Sequence, residues 1–257
     1  MSRLALLATA AVLAPSCALP TLDVMPRYGV FEIDGDVSLD SGAATGRADL
    51  NDAGLDDDGG SFQGRADLKI GAPHLILVAQ QPEFSGSGVA SADISFDGET
   101  ITAGTMVDSR IDLGLYNGYL VFDVFPGSLI EIGLGFGASY VDLDLSFQDQ
   151  MSTTEVAADE AFVLPMLAAT AGVQLGPVEL SALVGGLKIE YDDDEIFYLD
   201  VDVFGRIKIL GGNDRIRGSL VAGVRGQRID VTYEDGGDTA DADVDLIGPY
   251  AGIELTL

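Results

Sequence analysis

Residues 129–147 read LIEIGLGFGASYVDLDLSF. Apolar side chains fall at nearly every second position, first Ile130, Ile132, Leu134 and Phe136, then Val141, Leu143 and Leu145, with Gly and Asp between. A two-residue period places such side chains on one face of an extended strand. The strand has two unlike faces, and the fold turns on which of them meets water.

The same alternation recurs along the chain, in segments that begin near Tyr28, Ser61, His74, Thr105, Leu129, Ala161, Val178, Ile196, Arg215 and Ala240. Two kinds of connection join them. Short turns rich in Gly and Pro fall at Gly71-Ala72-Pro73, Pro126-Gly127-Ser128, Gly176-Pro177 and Gly211-Gly212-Asn213-Asp214. Longer or more acidic connections run over 41–60, 84–104, 148–159, 192–195 and 234–239. Short turns at one end and long loops at the other describe an all-β, up-and-down antiparallel transmembrane barrel with periplasmic turns and acidic extracellular loops. About ten strands are expected, an even number that leaves both chain ends on the periplasmic side. The count falls to eight if the first segments are misread. A soluble β-sandwich shares the alternation but not this two-sided pattern of connections.

Within several segments the alternation changes phase. Val178, Leu180, Ala182 and Val184 hold even positions, and Lys188, Glu190 and Asp192 then take over that parity. Ile130 to Phe136 share a parity with Asp142 and Asp144, and Ala251 to Leu257 share one with Asp241, Asp243 and Asp245. A β-bulge in each strand would swap the faces. Five bulges at one height is a costly assumption, so continuous strands in two solvents are expected. The outward face then meets lipid below and water above. The upper interior becomes an apolar core of Val107, Ile111, Leu113, Val141, Leu143, Leu187, Ile189, Ile229, Val231, Val244 and Leu246. The boundary falls near Tyr140 and Val141.

On the lower inward face this leaves Glu131, Glu179, Asp202, Arg206, Lys208, Arg217, Arg225 and Glu254, interleaved with Gly133, Gly135, Gly137 and Gly223. Opposite charges in a narrow space should pair, because an unpaired buried charge is expensive. The expected lumen is closed and salt-bridged; about ten strands leave little room for a wide pore.

With 13 Lys and Arg against 42 Asp and Glu, the chain carries a formal charge of -29, which excludes nucleic acid as a partner. Its 257 residues suit one barrel domain, 19–257, preceded by a secretory signal over 1–18. Arg3 supplies the positive end, Leu4 to Leu13 the apolar core, and Ser16-Cys17-Ala18 a small-x-small cleavage site. Cys17 is the sole cysteine, so disulfides are excluded. Its setting resembles a bacterial lipoprotein box, in which Cys17 would be acylated after cleavage before it; plain cleavage after Ala18 is the alternative.

Candidate reactive residues are sparse. His74 is the only histidine, beside a periplasmic turn, and one histidine there builds neither an acyl-transfer triad nor a His-metal cluster. A structural role is expected for it. Acid runs at Asp56, Asp57, Asp58 and at Asp192, Asp193, Asp194 offer oxygen ligands suited to Ca²⁺, without EF-hand spacing. No other cofactor is expected.

Tyr250, Gly252, Leu255 and Leu257 resemble the terminal-strand signal by which the barrel-assembly machinery inserts outer-membrane proteins, with Leu257 where an aromatic is usual. The stretch from Asp49 to Asp57, with Leu164-Pro165-Met166 and Gly248-Pro249-Tyr250, resembles a group of little-characterised proteobacterial outer-membrane β-barrel proteins. That resemblance implies a fold and a location, the outer membrane of a Gram-negative bacterium, with lipid and lipopolysaccharide as neighbours. The expected protein is a monomeric, non-enzymatic barrel with a structural or surface-interaction role. The alternative is a narrow channel or carrier for small, apolar compounds.

Overall fold

The computed structural model describes residues 20–41, 44–50, 54–55, 59–90, 93–96, 99–127, 129–191, 194–210, 217–235 and 238–257. Its strands are β1 (Thr21–Ser41), β2 (Ala44–Asp49), β3 (Gly59–Lys69), β4 (Pro73–Gln80), β5 (Glu83–Val89), β6 (Ile94–Phe96), β7 (Glu99–Ile101), β8 (Met106–Pro126), β9 (Ile130–Asp149), β10 (Glu155–Leu175), β11 (Val178–Tyr191), β12 (Asp194–Leu210), β13 (Arg217–Asp235) and β14 (Asp238–Thr256). Neighbours pair antiparallel in chain order, and β14 closes on β1 with Val24 opposite Leu255 and Tyr28 opposite Ala251. In the lower wall β3 pairs with β4 and completes the ring, which leaves no edge open there, as a lipid-facing sheet requires; higher up, β2 and β5 each pair on one side among the described strands. The wall has ten staves: β2 and β3 both pair with β1 and form the second stave, and β4 and β5 both pair with β8 and form the third.

Pro82 accounts for the break in the third stave. Lacking an N–H, it cannot join the ladder, yet its carbonyl still accepts a bond from the Leu113 amide at 3.1 Å. The strand resumes as β5 inside the connection expected over 84–104, and Phe84 keeps its inward parity. The connection expected over 148–159 is also shorter, because β10 begins at Glu155 and the Asp149 carboxylate caps the turn through Met151 N and Ser152 Oγ, both at 2.7 Å. At the opposite end Gly71 (φ 75°) and Gly176 (φ 64°) take left-handed backbone conformations that suit the short turns they occupy.

Among the described residues no bulge accompanies the change of phase. Among the described residues the wall register slips at Asp123/Phe125 and at Lys208/Leu210, both near the short turns. The strands run straight through the boundary, and their surroundings change instead. Val107, Ile111, Leu113, Val141, Ile229 and Leu246 are buried, and Leu143, Val231 and Val244 pack against them. Leu187 is half-buried, and the side chain of Ile189 lies outside the described residues. Leu50, Leu55, Ala90 and Ile101, from the long connections, join the same core and cover the barrel from above.

Below the boundary the outer wall is apolar. Ile130, Ile132, Leu134, Phe136 and Tyr140 of β9 stand exposed, continued by Val163 and Leu167, Leu180 and Val184, Val203 and Ile207, and Leu220 and Val224. At about 3.3 Å per residue and a tilt near 40°, the span from Ile130 to Tyr140 covers roughly 25 Å of height, the apolar band of a membrane barrel. Tyr116 and Tyr140 sit opposite each other at its upper rim, ring centroids 6.0 Å apart, and Tyr28 meets Phe62 edge-on at 5.0 Å. Two residue pairs higher on this ladder, Gly114 faces Asp142. With 21 residues β8 is about twice as long as a membrane crossing needs, so its upper half stands clear of lipid.

Candidate functional site in the lumen

The lumen is filled in layers beneath the apolar plug. At mid-height Arg225, fully buried, grips Asp200 with two bonds, Nε to Oδ1 at 2.9 Å and Nη2 to Oδ2 at 3.0 Å. Its Nη1 donates to Gln80 at 3.1 Å, Gln80 donates to Gln227, and Gln227 donates to the Tyr198 hydroxyl. Asp200 also accepts from Asn117 at 2.7 Å and from the Tyr119 hydroxyl. A fork-to-fork guanidinium–carboxylate pair with its lone pairs satisfied is the geometry in which a buried ion pair persists.

One layer lower Asp202 is shared. Arg27 donates to it at 2.9 Å, Arg65 at 3.2 Å, and the Tyr250 hydroxyl also donates. The Arg27 guanidinium lies 4.3 Å above the Tyr250 ring, and that of Arg65 5.0 Å from the Phe204 ring centroid. Glycines make the space: a Cβ on Gly252 would come within 2.7 Å of Arg27 Cβ, and one on Gly223 within 2.7 Å of the Tyr250 ring.

Below this, Arg206 bonds Glu254 at 2.7 Å and pairs with Glu179 at 3.3 Å. Beside them His74 Nε2 meets Asp123 Oδ2 at 2.8 Å, and Lys69 reaches Glu131 at 3.1 Å. These layers end in a cavity of about 260 Å³ at the lower mouth, bordered by Lys69, Glu131, Glu179, Arg206 and Glu254. Lys208 and Arg217 border it too and are exposed there, outside the packed layers.

Of the eight charged residues expected to face the lumen, the structure thus brings Glu179, Arg206 and Glu254 into one cluster. It gives Asp202, Arg225 and Glu131 partners that the sequence reading had not named: Arg27, Arg65, Asp200 and Lys69. The signal was present, because Asp200 shares the parity of Asp202, and Arg65, Asp67 and Lys69 alternate with Ala66 and Leu68. Cys17, Asp56, Asp57, Asp58, Asp192 and Asp193 lie outside the described residues. Asp194 opens β12 opposite Tyr191, its side chain likewise outside them. His74 is buried, and acids from other strands, Asp67, Asp123 and Glu131, surround it, a grouping that one histidine and a two-residue period do not reveal in the sequence.

A closed ten-stave wall, apolar outside and charged within, defines a β-barrel of the outer-membrane type. No protein-family model matches the chain, and no curated protein does. Among solved structures, the outer membrane protease OmpT of Escherichia coli aligns over 95% of this chain and 98% of its own, at 10% identity and a TM-score of 0.59. Ail, the attachment invasion locus protein of Yersinia pestis, aligns over 91% and 98% at 9% identity with a TM-score of 0.30. The translocator domain of the Neisseria meningitidis autotransporter NalP aligns over 95% and 92% at 11% identity with a TM-score of 0.34. Of these three, the OmpT alignment alone scores high enough to argue from, and at 10% identity it speaks for the fold.

Proposed function

We propose that this protein is a non-enzymatic barrel of the outer membrane with a structural or surface-interaction role, exported through residues 1–18. The observation that carries the reading is the occluded lumen. Arg225, Asp200, Tyr119 and Asn117 cross it at mid-height in one bonded cluster, and the apolar core fills it above. An ion would have to break that cluster and then cross hydrocarbon, and a small apolar solute would have to do the reverse. The placement of His74 supports the non-enzymatic part: it is buried near the lower turns and already paired with Asp123. The part offered to partners is the upper wall, where Asp108, Asp112, Asp142, Asp144 and Asp159 stand toward water, facing lipopolysaccharide and its counter-cations.

Planar-bilayer recording of the refolded protein tests the reading. No steady current is expected across a range of voltages. Reproducible single-channel steps would overturn it in favour of a narrow channel or carrier.

A further inference from the structure

The acids around His74 form a group with more negative charge than its neighbours neutralise. His74 Nε2, an Asp123 oxygen and a Glu131 oxygen all lie within 4.8 Å of one another, with Nε2 to Asp123 Oδ2 at 2.8 Å and Nε2 to Glu131 Oε1 at 3.9 Å. On the far side of the ring, Nδ1 faces Asp67 Oδ1 at 4.0 Å. Three carboxylates thus surround one imidazole. The cations at hand are Lys69, bound to Glu131, and Arg65, which lies 3.9 Å from Asp67 but bonds Asp202.

A second, independent observation falls on the same acids, Asp123 on the Nε2 side of the ring and Asp67 behind it. Asp123 Oδ1 and Asp67 Oδ1 are both buried and accept no hydrogen bond, on side chains only 10% and 12% exposed. A buried carboxylate oxygen with nothing to accept from is costly, and a cation is the partner that satisfies it most completely.

The geometry points to a divalent transition-metal site made by His74 Nε2, Asp123 and Glu131, with Asp67 orienting the imidazole through Nδ1. One nitrogen and two carboxylates suit a first-row ion such as Zn²⁺, with a fourth position left to water. Donors on a tetrahedral Zn²⁺ stand about 3.3 Å apart, so binding moves His74 and Asp123 slightly apart and draws Glu131 inward. The aspartate behind the ring stands where an outer carboxylate fixes tautomer and orientation in imidazole metal sites, and closing its 4.0 Å gap to Nδ1 on metal binding supplies that bond. The access route is present, because Glu131 and Lys69 border the cavity at the lower mouth and are each more than a third exposed. On binding, the metal replaces the Lys69 ammonium as the counter-charge of Glu131, and Lys69 turns into that cavity. The site is independent of whether the lumen conducts.

The test is calorimetric titration of ZnCl₂ into the EDTA-stripped, refolded full chain in detergent, with CaCl₂ and MgCl₂ as comparisons. One saturable Zn²⁺ site per barrel is expected, with no comparable binding of the other two ions. Glu131→Gln and His74→Gln should each weaken it at least tenfold, and Asp67→Asn about 10- to 100-fold through the ring. Lys69→Met, which removes the competing ammonium, should leave it intact or tighten it. Substituting Co²⁺ should give a visible d–d band that His74→Gln abolishes. Glu131 is half-exposed, so its variant keeps the test usable if the His74 variant fails to fold. Absence of saturable binding to the wild-type chain, or undiminished binding in folded Glu131→Gln, overturns the assignment.

Discussion

Arg225 and Asp200 bind each other through two parallel bonds at 2.9 and 3.0 Å, both side chains wholly removed from solvent. Removing one partner strands the other charge in the lumen, at a cost of about 3–5 kcal/mol. Replacing both removes the stranded charge along with the attraction. Arg225→Met and Asp200→Asn are therefore each expected to lower stability by that amount, and the double variant by clearly less than their sum. Urea unfolding in micelles measures the difference. Additive losses would show that the pair is not the unit holding mid-barrel together.

The ring of Tyr119 rests on a wall position without a side chain. A Cβ on Gly185 would stand 2.6 Å from Tyr119 Cε1 and 3.1 Å from its hydroxyl. Gly185→Ala should push the ring off and loosen its bond to Asp200, costing about 1–3 kcal/mol. Tyr119→Leu removes the obstacle, so adding Gly185→Ala to it should cost much less. Equal costs in both backgrounds would mean that the glycine serves the backbone instead of the ring.

Tyr140 and Asp142 lie two residues apart on the same outward face of β9, and that face turns from apolar to charged between them. Leu134→Arg, near the middle of the exposed band, should cost about 2–4 kcal/mol, as a cation does at the bilayer midplane. Asp144→Arg should cost little or nothing, because that position faces water among acids. Unfolding from lipid vesicles separates the two. A similar penalty at both positions would move the boundary upward.

The two-residue period disclosed the staves and their number because wall strands alternate whether their apolar face meets lipid or a core. The direction of the phase change gave the membrane boundary, since Tyr140 and Asp142 can share a face only if the solvent outside changes. What alternation could not convey is which charges meet across the barrel. Asp202 with Arg27, or His74 with Glu131, are pairs set by strand stagger and barrel closure, far apart in sequence and on non-adjacent staves. Glycine patterning hinted at it, since Gly137, Gly185, Gly223 and Gly252 mark where large side chains lie flat against the wall, but not which ones.

Two aspartates of the upper wall should titrate in opposite directions. Partial desolvation, together with the charges of Asp159, Asp142 and Asp112, holds the Asp144 carboxyl above the usual aspartate range. Hydrogen bonds from Ser87 at 2.6 Å and Gln150 at 2.8 Å hold Asp108 below it. A raised folded-state value means that the protonated form is the one the fold favours. The contribution of Asp144 is thus fully present below the unfolded aspartate value, about 4, and is lost as pH rises through its folded value. The contribution of Asp108 has the opposite sign: present above about 4, it is lost as pH falls through its depressed value. Carboxyl ¹³C titration should find Asp144 ionising after Asp108 as pH rises, with Asp112→Asn shifting Asp144 downward. The same midpoint for both would show that neither the acid cluster nor the two bonds to Asp108 persist in solution.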